Sequence, residues 1–139
     1  MTARSPMLEI QGAVYRRLTD DQELTGLAPG GVFDYLPETA PYPFTVIGEA
    51  TETPDNAHDR HGWQTVPVLH VWTRSRGFAQ ALRIGARVAE LLDHQPLDVP
   101  GYHHVATLFE FSQTLQDPEP PGDIRHLILR FRVLTEQIP

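Results

Sequence analysis

The chain has 139 residues, a length that fits a single domain around one hydrophobic core. Eighteen acidic and eleven basic side chains give a net charge of −7, which argues against binding to a nucleic-acid phosphate backbone. The absence of Cys excludes disulfides and thiolate metal sites. The start has no apolar signal segment, and no apolar run approaches the ~20 residues that cross a bilayer, so we expect a cytoplasmic product unless a particle carries it out.

The first quarter of the chain predicts two helices and then an extended connection. Ser5 and Pro6 form a helix start, because the hydroxyl can accept from a free amide and proline suits the first helical position. The helix is expected to run to about Thr19, and its apolar stripe consists of Met7, Ile10, Val14 and Leu18. Asp20-Asp21 is expected to cap a short second helix that reaches Leu27. Residues 28–43 are interpreted as an extended connection.

The next segment predicts a β-hairpin. Residues Phe44–Thr53 alternate in polarity with a period of two, which is typical of a half-buried strand. Turn-forming and charged residues follow from 54 to 63. The return strand, Gln64–Thr73, contains Pro67, which cannot donate to a β-ladder and therefore predicts an edge strand or a bulge.

The segment from Gly77 to Asp93 predicts the main core helix. Its central apolar stripe is expected to consist of Phe78, Leu82, Gly85, Ala89 and Leu92, flanked by Ala81, Ile84, Val88 and Leu91. Gly85 in a helix interior costs about 1 kcal/mol relative to Ala, which suggests close approach to the sheet or to another helix.

The last third predicts a second hairpin, with strands Tyr102–Gln116 and Ile124–Glu136 joined by a proline-rich loop. In the last strand, core positions alternate with a basic face that carries Arg130 and Arg132, and Glu110 on the partner strand is a candidate ion-pair partner for them. Val105, Thr107, Phe109 and Phe111 are expected to share one row, with Leu108, Glu110 and Ser112 on the other. The predicted fold class is α+β: an antiparallel sheet of about four main strands in two hairpins, with the N-terminal and central helices packed on one face, in one domain over residues 1–139.

Candidate chemistry is sparse. The residues His58 and His61, with Asp55 and Asp59, are the one metal-like cluster, but the two imidazoles would meet only on a helix and Arg60 adds a repelling charge. A solvated or interface loop is the better interpretation. His103 and His104 are expected to point to opposite faces of a strand, one half-buried and one exposed. Ser112 lies outside any nucleophile motif, and no glycine-rich phosphate loop exists, so we expect no enzyme activity, cofactor or metal.

Aromatic and basic residues near the second strand admit two interpretations. Trp72, followed by Arg74 and Arg76, could stack on a base and hold phosphate, but the net negative charge opposes this. We expect Trp72 to pack in the core or at an interface, and the two arginines to meet acidic partners. Arg130 and Arg132 are either an exposed strand face or a subunit contact.

The order of these elements resembles a known family. The strand Tyr42–Glu49, the strand Val68–Ser75 and the helix that starts at Gly77 follow one another as in the tail terminator, or tail completion, proteins of long-tailed bacteriophages. The first helix and the phrase from Gly31 to Pro37 extend the resemblance over nearly the whole chain. The sequence departs from the family in its proline-rich loop at Pro118–Pro121 and at Pro67.

The resemblance implies a structural virion protein with no enzymatic activity. Such proteins form a ring, usually of six subunits, on the head-proximal end of the tail tube, stop its polymerisation and present a joining surface for the neck. The implied partners are other copies of the chain, the major tail tube protein and a head completion or neck protein. The implied place is the tail–neck junction of the virion, after assembly in the host bacterial cytoplasm. DNA would pass through the lumen without specific binding, and no membrane is involved.

A ring needs two different contact patches on each subunit. The candidate ring or tube contacts are three groups: the loop residues Asp55, His58, Asp59, Arg60 and His61; the turn residues Arg74 and Arg76; and the strand residues Arg130 and Arg132. Two alternatives stay open. One is another ring component of the head–tail connector; the other is a small ligand-binding or enzymatic α+β domain, with a pocket between helix and sheet lined by His70 and Trp72.

Overall fold

A computed structural model describes residues 2–118 and 121–139 of the chain. The described residues form a five-stranded sheet with strand order β1-β2-β3-β5-β4, and three helices. The elements, in chain order, are α1 (Met7–Thr19), α2 (Gln22–Leu27), β1 (Val32–Phe33), β2 (Phe44–Pro54), β3 (Gly62–Arg74), α3 (Ala79–Leu92), β4 (Tyr102–Gln116) and β5 (Ile124–Gln137). The predicted α+β class is confirmed. Among these described residues, no helix is long and apolar enough to cross a membrane.

The helix α2 begins as the sequence predicts, whereas α1 begins one residue later than expected, at Met7, with Pro6 at its N-cap position. The Ser5 hydroxyl accepts from the Met7 N–H at 3.3 Å, and the Asp21 carboxylate caps α2 by accepting from the Leu24 N–H at 2.8 Å. The buried stripe of α1 consists of Ile10, Ala13, Val14 and Leu18. All three helices pack on one side of the sheet, where one apolar cluster forms the core.

Both predicted hairpins are present, and their pairing decides between the two alternatives for Pro67. β3 lies inside the sheet, between β2 and β5, so Pro67 does not mark an edge. The chain accommodates it with a bulge instead: the register between β2 and β3 shifts by one residue between Ile47 and Ala50, directly beside Pro67. The alternative of a bulge is therefore the correct one.

The connection before β2 contains a short strand that the sequence pattern did not predict. Val32 and Phe33 form β1, which pairs in parallel with Thr45 and Val46. Two residues are too few to produce a detectable alternation, so this strand exists only through its partner. It makes the sheet mixed rather than purely antiparallel.

The helix α3 packs on the sheet through a different stripe from the one predicted. Its buried residues are Ala81, Ile84, Gly85, Val88, Leu91 and Leu92, whereas Leu82 is 50% exposed. The row expected at the flank is therefore the centre of the contact. A Cβ atom on Gly85 would lie 2.3 Å from Cδ2 of Leu127 in β5, so the predicted close approach is to the sheet.

The two strands of the second hairpin pair as expected, but β4 is irregular. Its register against β5 shifts once between His104 and Ala106 and again between Phe109 and Phe111. The second shift places Phe109 opposite Phe131 on the helix side and Phe111 opposite Arg130 on the other side. The prediction that both phenylalanines share one row is therefore wrong. Part of the proline-rich loop, residues 119 and 120, lies outside the described residues.

Candidate assembly surface

The helices leave one face of the sheet uncovered, and this open face carries His and Arg side chains of β3 and β5. Residues directly opposite each other on paired strands share a face. On β3 and β5, Leu69 and Leu129 face the helices, while His70 and Ile128 face away from them. The open face thus presents His70, Trp72, His126, Ile128, Arg130 and Arg132 along the middle of the sheet.

A hydrogen-bonded chain of three ionisable side chains crosses the open face. Glu49 Oε1 lies 2.6 Å from Nε2 of His70, and Nδ1 of His70 lies 2.6 Å from Nε2 of His126. When both rings are neutral, His70 donates to Glu49 and accepts from His126. The His126 ring stacks on Trp72 with centroids 3.9 Å apart. Gly48, in the β2 bulge, makes room for this arrangement, because a Cβ atom at this position would lie 2.7 Å from the His70 ring.

Burial and hydrogen bonding shift the pKa values of Glu49 and His126. The hydrogen bond from His70 lowers the pKa of Glu49, so its carboxylate stays charged. Burial, together with the neighbouring His70, lowers the pKa of His126 to about 4, so that ring is neutral at physiological pH. The open face therefore holds a carboxylate anion, which is hydrogen-bonded to His70, and a stacked pair of rings, Trp72 and His126. Such a cluster gives the surface a defined shape and charge.

The predicted pairing of Glu110 with the basic face is confirmed. Arg132 Nε lies 2.6 Å from Glu110 Oε1, and Arg132 also donates to Gln64 Oε1 at 2.5 Å. Arg130 Nε is 4.0 Å from the same carboxylate, and its guanidinium lies 4.8 Å from the centre of the Phe111 ring. Arg132 is thus matched, whereas Arg130 shares a carboxylate that is already engaged.

The loop candidates lie at one end of the strands. Arg60 pairs with Asp59 at 3.2 Å and with Glu136 of β5 at 2.7 Å. Ala57 and Arg60 form an isolated bridge, so the loop is a tight turn rather than a helix. Asp55 accepts from Gln64 at 3.2 Å, and His58 and His61 belong to the same loop. Among residues 2–118 and 121–139, no group of three or more acidic, His or Cys side chains is placed to hold a metal ion.

The turn candidates lie at the opposite end of the same strands. Arg74 is the last residue of β3; its guanidinium is 4.0 Å from Asp123 and 5.0 Å from the centre of the Tyr42 ring. An acidic partner at this turn was expected, and Asp123 supplies it. Arg76 is exposed, and its backbone carbonyl accepts from Arg125. The structure therefore separates the sequence candidates into two strand ends and one central basic pair.

Two groups of interacting side chains do not follow from the sequence pattern. One is the group of three hydrogen-bonded side chains, Glu49, His70 and His126, which are far apart in sequence and meet only through strand pairing. The other is Arg125, which is 6% exposed and donates to the Gly122 carbonyl at 2.6 Å, with its guanidinium 5.2 Å from the centre of the Phe78 ring. Its position on the helix-facing row of β5 was the available signal, since a charge in a core row requires partners.

The predicted pocket of the ligand-binding alternative is not formed. His70 and Trp72 face away from the helices, and the stacked His126 ring covers Trp72. Ser112, the one serine considered as a nucleophile, lies opposite Leu129 on the helix side, away from both imidazoles of the open face. His103 is exposed and His104 half-buried, as expected, and His104 lies 2.7 Å from Thr107 Oγ1.

The fold of this chain is similar to the folds of chains in two solved structures. A chain in a solved structure described as the virion of a native gene transfer agent particle superposes with a TM-score of 0.85 at 24% identity, over 96% of this chain and 99% of that one. A second solved structure matches with a TM-score of 0.57 at 16% identity over 99% of both chains. At these identities the likeness shows the fold.

The sequence comparisons give the family. The family described as "Tail completion protein gp17" matches residues 12–136, and this chain belongs to it. The tail completion protein gp17 of Bacillus phage SPP1 is 33% identical over 92 residues. That match spans 66% of this chain and 66% of the relative. The chain is therefore a structural protein of the phage tail completion family, which confirms the resemblance drawn from its strand and helix order.

Proposed function

We propose that the chain acts as one domain that caps the head-proximal end of a phage tail tube. The match to the tail completion family over residues 12–136 carries this proposal. Six copies form a closed ring at the tail–neck junction of the virion, after assembly in the host bacterial cytoplasm. The role is non-enzymatic, because the work is done by binding the last ring of the tube and replacing its growth surface.

The two strand ends give each subunit two opposed surfaces for this task. The loop Asp55–His61 and the turn at Arg74–Arg76 lie at opposite ends of β3, whose 13 residues span about 40 Å at ~3.3 Å per residue. In a ring with its strands roughly along the tube axis, one end would meet the major tail tube protein. The other end would meet the head completion or neck protein.

The charge of the chain suits a lumen through which DNA moves. A net charge of −7 repels phosphate, so DNA passes through a ring of such subunits without specific binding.

The basic pair on the open face provides a direct test of the assembly role. We expect the double substitution Arg130→Glu, Arg132→Glu to weaken ring formation or tube capping, because both side chains are partly exposed on the uncovered side of the sheet. Mass photometry would give the ring population, and electron microscopy would give the tube lengths. Circular dichroism would establish that the monomer stays folded.

Arg83→Glu is the control for charge reversal, because Arg83 is exposed on α3, on the helix side of the molecule. It should leave rings and capped tubes unchanged. Normal assembly of the double variant would remove Arg130 and Arg132 from the interface.

A further inference from the structure

Among the described residues, eight of the ten exposed large hydrophobic side chains lie at the two opposite edges of the sheet, and the other two are Leu82 and Ile138. Four lie on α1 and on the segment after β1: Leu8, Tyr15, Tyr35 and Leu36. Four others lie on β4: Val105, Phe109, Phe111 and Leu115. Since β1 and β4 are the two outermost strands, these patches lie on opposite edges of the subunit. An apolar patch of this kind marks a binding surface when it is contiguous.

The β4 patch projects from the subunit. Every residue from Phe109 to Gln116 is exposed. In the sheet that the described residues form, this 15-residue strand is outermost and has a neighbouring strand on one side only. The bulge at Glu110 turns Phe109 to one face and Phe111 to the other, so the two rings straddle the edge. A long edge strand with apolar side chains is a site of association unless another chain covers it.

The patch at the other end is concave. A cleft of about 480 Å³ lies between α1 and the segment that follows β1, and Leu8, Gln11, Tyr15, Phe33, Asp34 and Tyr35 contribute to its lining. Its volume lies within the ~300–1,000 Å³ of typical binding pockets. One end of the subunit therefore offers protruding aromatic rings, and the other offers an open apolar cleft.

The charges beside the two patches are complementary. Arg130 stacks on Phe111, and its acidic neighbour among the described residues is the Glu110 carboxylate, which Arg132 also holds. At the cleft, Asp34 accepts from Gln11 at 3.0 Å, and Glu38 is exposed nearby in sequence. Within the described part of the chain, neither carboxylate forms an ion pair. A second copy that places Phe111 in the cleft would bring Arg130 towards these carboxylates.

We propose that the Phe109–Phe111 edge of β4 docks in the α1–β1 cleft of a second copy of this chain. The contact joins two different patches, so it is heterologous and can repeat from subunit to subunit until a ring closes. This inference rests on the proposed ring and assigns its lateral interface. The interface covers both apolar patches and the unpaired edge of β4.

Disulfide trapping tests this contact directly, because the chain contains no Cys that could react elsewhere. Two single variants, Tyr35→Cys and Phe111→Cys, are mixed under mild oxidation. Both positions are exposed, at 61% and 39%, so neither change should prevent folding. A disulfide requires Cα atoms within about 7 Å, so we expect the mixed dimer several-fold above either homodimer.

Leu82→Cys is the matched control, because Leu82 is 50% exposed on α3, outside both patches. A Tyr35–Phe111 yield no higher than the yields with Leu82→Cys would overturn the proposed interface. So would a dominant Phe111–Phe111 homodimer, which would indicate that two β4 edges pair with each other.

The same preparations separate this inference from the tail-capping role. Capped tubes without the Tyr35–Phe111 cross-link would overturn the interface and leave the capping role intact. The cross-link together with uncapped tubes would support the interface and overturn the capping role.

Discussion

At the residue scale, Gly85 sets the distance between the main helix and the sheet. The substitution Gly85→Ala places a methyl group 2.3 Å from Cδ2 of Leu127, a side chain that is only 2% exposed and has little room to move. Overpacking costs about 1–3 kcal/mol, and the better helix propensity of Ala returns about 1 kcal/mol. We expect a net loss of about 1 kcal/mol in the free energy of unfolding, measured by urea denaturation.

Gly26→Ala is the matched control for this change. Gly26 lies in α2, and an added Cβ atom would meet no other atom within 4 Å. The substitution should be neutral or should stabilise by about 0.5–1 kcal/mol. Equal effects of the two substitutions would contradict the close packing of α3 on β5.

His126 makes stability depend on pH through its neutral, half-buried ring. The unfolded imidazole binds a proton near pH 6.5, whereas burial lowers the pKa of the folded one to about 4. As the pH falls from 6.5 towards 4, the unfolded state takes up the proton first, so this group lowers stability across that window. The free energy of unfolding of the His126→Gln variant should therefore fall less than that of the wild type between pH 7 and pH 4.5.

The ring itself can be observed for the same purpose. Titration of the His126 imidazole by nuclear magnetic resonance should give a midpoint far below 6.5. A midpoint near 6.5, with equal pH dependence of the two proteins, would contradict a half-buried neutral ring stacked on Trp72.

At the element scale, the carboxylate of Asp21 joins the short helix α2 to the main helix α3. Asp21 caps α2 and also accepts from Arg87 of α3, at 2.9 Å from Nε and 2.7 Å from the second nitrogen. The bond to Arg87 lowers the pKa of Asp21, so this contribution is present above its ordinary pKa and is lost in acid. Asp21→Ala removes a cap and an ion pair, and we expect a loss of about 2 kcal/mol.

Asp20→Ala is the natural comparison, because Asp20 is adjacent and exposed. A surface change of this kind should stay within about 0.5 kcal/mol. Thermal unfolding followed by circular dichroism would compare the two variants, and similar melting temperatures would show that Asp21 does not join α2 to α3.

The elements also show what the sequence could predict. The helices and the four long strands follow from periodicity over more than ten residues, except for the six-residue α2, which its Asp21 cap revealed. The errors come from local breaks in that period. Leu82 was placed in the core because a broad apolar face on α3 allows two adjacent stripes. Phe111 was assigned to the wrong row because a bulge reverses every later side chain, and no residue type marks it.

The candidate surface was predictable only where the strands alternate regularly. Arg130, Arg132 and Glu110 were paired correctly because regular strand alternation places them on one face. The hydrogen bonds that link Glu49, His70 and His126 depend on the register among three strands, which one sequence does not reveal. The edge patch and the cleft depend on strand order, which is also a property of the complete sheet.

At the scale of the whole molecule, helices cover one face of the sheet and leave three kinds of surface for contacts. The open face holds the basic pair, the two strand ends hold the loop and the Arg74–Arg76 turn, and the two sheet edges hold the cleft and the β4 rings. A ring that caps a tube needs lateral contacts to its own copies and axial contacts on two sides. The edges suit the lateral contacts, and the strand ends suit the axial contacts.

The most direct test is electron microscopy of assembling tail tubes with and without the protein. The account predicts that tubes formed in its presence carry one added ring at a single end and stop at a defined length. Tubes that keep growing with bare ends, while the protein remains a monodisperse monomer, would contradict it.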